Sequence, residues 1–132
     1  MDRNELINLA NELSNLPESI AQRQMEIIRI NQNLQEVEDQ LITKESELKQ
    51  EIANTLDVNG KKAYSNQEAR DVAFVAESNA DATMQSLYAK RESIKKALAT
   101  EKIEIEKLGN KQRNLRSILY ALGGVQDGVL NS

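Results

Sequence analysis

TLDVNGKKAYSNQEARDV, residues 55–72, is the stretch on which the fold turns. Asn59-Gly60 is a turn dipeptide, and Gly60 can take the positive φ that ends a helix. Ser65 followed by Glu68 matches the Ser-x-x-Glu capping box, in which both side chains satisfy otherwise orphaned amides at a helix start. The stretch therefore predicts one helix ending near Leu56 and a second beginning just after Ser65. A short link between two long helices implies an antiparallel hairpin. The Gly60-Lys61-Lys62 run does not read as a phosphate loop. Such a loop needs Gly-x-x-x-x-Gly-Lys followed by Ser or Thr, between a buried strand and a helix. Here Ala63 follows, and the preceding segment has helical periodicity.

Both flanking segments carry heptads. On the first arm Leu6, Leu13, Ile20, Ile27, Leu34, Leu41 and Leu48 recur every seven residues. Leu9, Leu16, Arg23, Ile30, Val37, Lys44 and Glu51 form the second set, offset by three. The second arm repeats this with Ala73, Ala80, Leu87, Ile94, Glu101, Leu108, Leu115 and Leu122, and with Arg70, Glu77, Met84, Arg91, Leu98, Ile105, Gln112 and Leu119. An a/d pattern this long marks a coiled-coil seam. The fold class that follows is all-α: a long antiparallel two-helix coiled-coil hairpin, dimerising into a four-helix bundle.

Charge suggests a register. If facing residue numbers sum to 121, Ile27 faces Ile94, Leu34 faces Leu87, Val37 faces Met84 and Leu48 faces Ala73. The polar seam residues then pair Lys44 with Glu77 and Glu51 with Arg70. A slip of one heptad either way sets like charges against each other, which is costly in a half-buried seam. The expected organisation is a helical segment over 1–16, a kink or restart at Pro17, a first arm over 17–56, a loop and cap over 57–65, a second arm over 66–122 and a flexible tail over 123–132 ended by Gly123-Gly124.

Composition limits the chemistry. The 132 residues contain no His and no Cys, and only 3% are aromatic. The commonest metal ligand and the usual general base are thereby missing. Carboxylate pairs such as Glu36/Asp39 and Glu45/Glu47 read as a solvated helix face, and no EF-hand-like loop is present. We expect no catalytic residue, no metal site and no cofactor. The N-terminus is polar and acidic, unlike a signal peptide, and no apolar run approaches the length of a membrane span. A soluble, cytoplasmic, non-membrane protein is expected.

Net charge −4 conceals an asymmetry: residues 1–57 hold twelve Asp/Glu against five Lys/Arg, while residues 84–120 hold nine Lys/Arg against four Glu. Lys95, Lys96, Lys102, Lys107, Lys111, Arg113 and Arg116 are the candidate nucleic-acid contacts on the basic arm. The competing explanation is neutralisation of the acidic arm; Glu12 and Lys111 fall on flanking positions of the register. A further candidate surface is apolar. Met25, Ile28, Ile42 and Ile52 on arm one, and Val72, Val75, Ala76, Ala97 and Ile103 on arm two, lie off the seam and would be covered by a second hairpin.

The loop NGKKAYSN, the helix segment LYAKRESIKKAL and the closing RNLRSILYAL resemble small coiled-coil proteins encoded by bacteriophages and prophages, over roughly residues 55–122. The resemblance implies an accessory role in phage DNA metabolism or the disabling of a host protein, in the host cytoplasm, and supplies no catalytic residue. The leading expectation is thus a non-enzymatic homodimer that docks on a protein partner through Asn59, Gly60, Lys61, Lys62 and Tyr64. Nucleic-acid binding by the basic arm is the alternative, and a phage scaffold or assembly chaperone a further one.

Overall fold

The computed structural model describes residues 2–130, with side chains through Gly123. The chain is all-α: the described residues form α1 (Arg3–Asn54), α2 (Gln67–Ala80) and α3 (Ala82–Leu130), with no strand among them beyond one isolated bridge. It divides into two compact units. One combines residues up to Arg29 with those from Leu98 onward; the other runs from Ile30 to Ala97.

In the Ile30–Ala97 unit, the end of α1 runs antiparallel to α2 and the start of α3. Its buried residues are those of the heptad pattern: Ile30, Val37, Leu41, Leu48, Ala73 and Met84. Leu48, Ile52, Ala73 and Met84 form one cluster, against which Tyr64, Phe74 and Tyr88 pack. The side chains with no counterpart in the pattern mark two corrections. Ile52, expected off the seam, is 4% exposed, whereas Glu51 is exposed. On the opposite arm Ser78 is buried and Asp81 half-buried, whereas the expected seam residues Glu77 and Ala80 face out.

Both corrections have a backbone cause. A straight α-helix turns every 3.6 residues and drifts relative to a 3.5-residue repeat; Lys44 and Glu45 are both half-buried, and one turn after Leu48 the inward position is 52 instead of 51. The second arm, expected to be continuous, breaks at Asp81. There α2 ends with Asp81 extended (φ −85°, ψ 110°). The Asp81 carboxylate accepts the Met84 amide at 2.9 Å and so caps α3. The amide of Asp81 and the side-chain amide of Gln85 both donate to the Ser78 carbonyl, at 3.3 and 2.9 Å. This one-residue break moves the inward stripe from 77 and 80 to 78 and 81, then returns it to Met84. An N-cap is worth about 1 kcal/mol. Asp81→Ala should therefore lower stability by about 0.5–2 kcal/mol in urea denaturation, while Asp81→Asn, which keeps an acceptor, should lose far less.

Helix ends differ from expectation elsewhere too. α2 is capped by Asn66, whose Oδ1 accepts the Ala69 amide at 2.8 Å. The cap thus sits one residue after Ser65, and Glu68 is too early in the first turn to close a box with it. The chain's own box is at the start of α1, where the Glu5 amide donates to Asp2 Oδ1 at 2.8 Å and the Asp2 amide to Glu5 Oε2 at 3.3 Å. α1 stops at Asn54, two residues short of Leu56.

In the other unit, residues of α1 before Ile30 run antiparallel to α3 from Leu98 onward, with Leu16 and Leu115 buried. Pro17 lies inside α1 and does not end it. A proline lacks its own amide and costs one helical bond, here to the Leu13 carbonyl; Leu16 beside it is buried and offsets that loss. Gly123 and Gly124 do not end α3, which continues to Leu130. A helical glycine costs about 1 kcal/mol relative to Ala without forcing a stop. Only Gly60 takes a positive φ among the described residues. The remainder of the expected tail, residues 131–132, lies outside the described residues.

Candidate interaction surfaces

The connecting loop is a miniature hairpin. Leu56 and Lys62 form an antiparallel bridge; the Asp57 amide donates to the Lys61 carbonyl at 2.7 Å and the Ala63 amide to Thr55 at 2.9 Å. Asp57 Oδ1 accepts the amides of Asn59 at 2.8 Å and Lys61 at 3.0 Å, an Asx arrangement that fixes the tip. Gly60 supplies φ 76°, where a β-carbon would be strained. Asn59, Gly60, Lys61 and Lys62 are exposed, as a docking loop requires, and Val58 projects fully into solvent. Tyr64 does not belong with them: it packs on the core cluster.

The seam of the Ile30–Ala97 unit carries polar groups in a different pairing from the one expected. Lys44 lies 3.8 Å from Asp81 rather than beside Glu77. Arg70 donates to the Tyr64 carbonyl and to Gln67, both at 3.4 Å, and not to Glu51. The reason is the break and drift described above, which turn Glu77 and Glu51 outward. Further along, Tyr88 donates to Glu45 at 2.8 Å, and the Arg91 guanidinium sits 5.2 Å from the Tyr88 ring centre. Burial, then the hydrogen bond to Glu45 and its charge, raise the Tyr88 pKa against the opposing Arg91 charge. The phenol therefore stays protonated at neutral pH and serves as a hydrogen-bond donor. Arg91 Nε is buried without a hydrogen bond, 3.6 Å from Glu92.

The basic residues are all exposed, but their electrostatic surroundings differ. Lys95 and Lys107 pair within their own helix, with Glu92 at 3.9 Å and Glu104 at 3.5 Å. Lys111 pairs with Glu12 of α1, the neutralising contact that the charge asymmetry suggested. Arg113 bonds the neutral Asn110 side chain. Lys96 is exposed in the Ile30–Ala97 unit. Lys102 and Arg116 make no ion pair among the described residues. Arg23 and Glu101, opposite charges on facing seams, are joined at 3.1 Å.

Exposed apolar side chains occur on all three helices, and on the short α2 they form one outward face. Val72 and Val75 are 66% and 58% exposed, and Ala76 is exposed between them. Met25, Ile28 and Ile42 on α1, and Ile103 on α3, are likewise exposed. No group of three or more His, Cys, Asp or Glu is placed to hold a metal ion among the described residues. No helix among them is long and apolar enough to cross a membrane. Compared with known proteins, the chain matches no family model, no curated protein and no solved structure.

Proposed function

We propose that the chain is a non-enzymatic coiled-coil interaction protein that pairs with a second copy of itself and docks on a protein partner through its loop. The outward face of α2 carries the argument. Ala73, Phe74 and Ser78 turn that helix inward, yet Val72, Val75 and Ala76 leave its other side apolar and wet. A helix apolar on opposite sides is normally covered on both. A second copy suits the rest of the chain as well. Each unit is only two helices thick, so seam residues such as Leu9, Leu13, Ile20, Ile105 and Leu108 stay half-exposed; a four-helix arrangement is the usual way to close such a seam. The tip residues Val58, Asn59, Lys61 and Lys62 then remain as the partner-facing element. The resemblance to phage-encoded coiled coils supplies the setting: an accessory to DNA metabolism or an inhibitor of a host protein.

Sedimentation equilibrium tests the assembly. We expect a concentration-dependent dimer whose dissociation constant rises at least tenfold in the Val72→Glu/Val75→Glu variant, since two valines lose burial of about 1.5 kcal/mol or more each. Circular dichroism should show helicity retained. A monomer at all concentrations, or a variant that dimerises like the parent, would count against this reading; growth beyond a dimer would favour a scaffold.

A further inference from the structure

The basic charge on the unit formed by residues up to Arg29 and from Leu98 is sorted between two flanks. Let Leu13 on α1 and Ile105 on α3 be a positions of the heptad, with Leu16 and Leu108 at d. In an antiparallel pair, g positions then meet g positions along one flank and e positions meet e along the other. The Glu12–Lys111 ion pair is a g–g contact and fixes which flank is which. On that flank Lys111 of α3 meets a carboxylate of α1, while Glu5 caps the start of α1 and Glu26 pairs with Arg29.

The opposite flank, made of e and b positions, has a different composition. On α3 it holds Lys102, Arg113, Arg116 and Tyr120, with Glu106 as its single carboxylate. On α1 it holds Arg3 and then uncharged residues, Ala10, Pro17 and Gln24 among the e positions. No acidic side chain of α1 stands on this side to neutralise the cations. All these residues are exposed, and Tyr120 is 84% exposed, an unusual setting for an aromatic ring in a chain with so few. Lys102 to Arg116 extends along roughly 21 Å of helix at about 1.5 Å per residue.

We propose that this flank binds a single strand of nucleic acid, its cations contacting successive phosphates and Tyr120 stacking on a base. Charge complementarity selects a polyanion. The exposed ring selects one whose bases are free to stack, because a duplex keeps them paired inside. Within the expected basic arm, the inference assigns binding to Lys102, Arg113 and Arg116, joined by Arg3 and Tyr120. It removes Lys95, Lys107 and Lys111, whose charges are matched by carboxylates. It does not depend on self-association through α2.

The test is fluorescence anisotropy of the full chain with a labelled oligothymidylate and with a labelled duplex, at about 50 and 200 mM salt. The parent should prefer the single strand, with log affinity falling against log salt at a slope of about −2 to −3 for three or four phosphate contacts. Neutralising Lys102, Arg113 and Arg116 together should abolish most of that slope. Lys107→Ala/Lys111→Ala should change it little. Tyr120→Leu should weaken binding about tenfold at unchanged slope. Equal losses from both lysine-arginine sets, tighter binding to the duplex, or no binding at low salt would each overturn the proposal. Sedimentation of the same variants separates this result from the assembly reading, because none of the substituted residues lies on α2.

Discussion

Met84→Ala should destabilise the Ile30–Ala97 unit by about 2–5 kcal/mol. Met84 is completely buried and belongs to the cluster of Leu48, Ile52 and Ala73, with Tyr64, Phe74 and Tyr88 packed around it. Truncation removes the transfer energy of the thioether chain and leaves a cavity that its neighbours can fill only in part. They are ill placed to do so. Ala73 in the same cluster is already small, and the α3 backbone at Met84 is tied to the Asp81 carboxylate by its own amide. Equilibrium urea denaturation should show a lower midpoint at unchanged slope. Met84→Leu, nearly the same volume, should cost under about 1.5 kcal/mol. A loss below about 1 kcal/mol in the alanine variant would mean that the cluster collapses onto the void and that this core is not rigid.

The residues explain which parts of this fold can be read before the structure is known. Heptads that run through Leu41, Leu48 and Val37 describe α1 because one buried stripe is all that a two-helix seam requires. Asn59-Gly60 marks the corner because positive φ at Gly60 is a local property. The break at Asp81 is harder to read, because Ala80-Asp81-Ala82 contains neither Gly nor Pro and its cap competes with a helix that could have continued. The hints were Ser78 and Asp81 themselves, polar side chains at spacings that point inward only after a shift in phase. Charge pairing was the misleading clue. Lys44 with Glu77 and Glu51 with Arg70 satisfy a strict repeat of 3.5, but long side chains at a seam edge follow the backbone's actual turn, and Lys44 reaches Asp81 instead. Likewise the basic arm looks scattered along the sequence. Its two flanks separate only when Glu12 and Lys111 are known to touch.

Ile52→Ala and Glu51→Ala should differ sharply although the residues are adjacent. Ile52 is buried in the cluster beside Leu48, so its truncation should cost about 2–5 kcal/mol. Glu51 is exposed and pairs with no cation among the described residues, so its loss should stay within about 0.5 kcal/mol. A strict heptad makes the opposite assignment, with Glu51 in the seam against Arg70 and Ile52 outside it. The charge-reversal cycle separates the two geometries independently of size. If Glu51 faced Arg70, Glu51→Lys would be destabilising and Arg70→Glu would rescue it. With Arg70 turned to the Tyr64 carbonyl and Gln67, the coupling should fall within the roughly 0.3–0.5 kcal/mol typical of independent sites. A rescue above about 1 kcal/mol would place the two charges in contact and return α1 to the 3.5-residue seam up to its last turn. Additive effects, together with a large loss at Ile52, would show that the helix keeps its own period there and that burial of one isoleucine outweighs a surface ion pair worth at most about 1 kcal/mol.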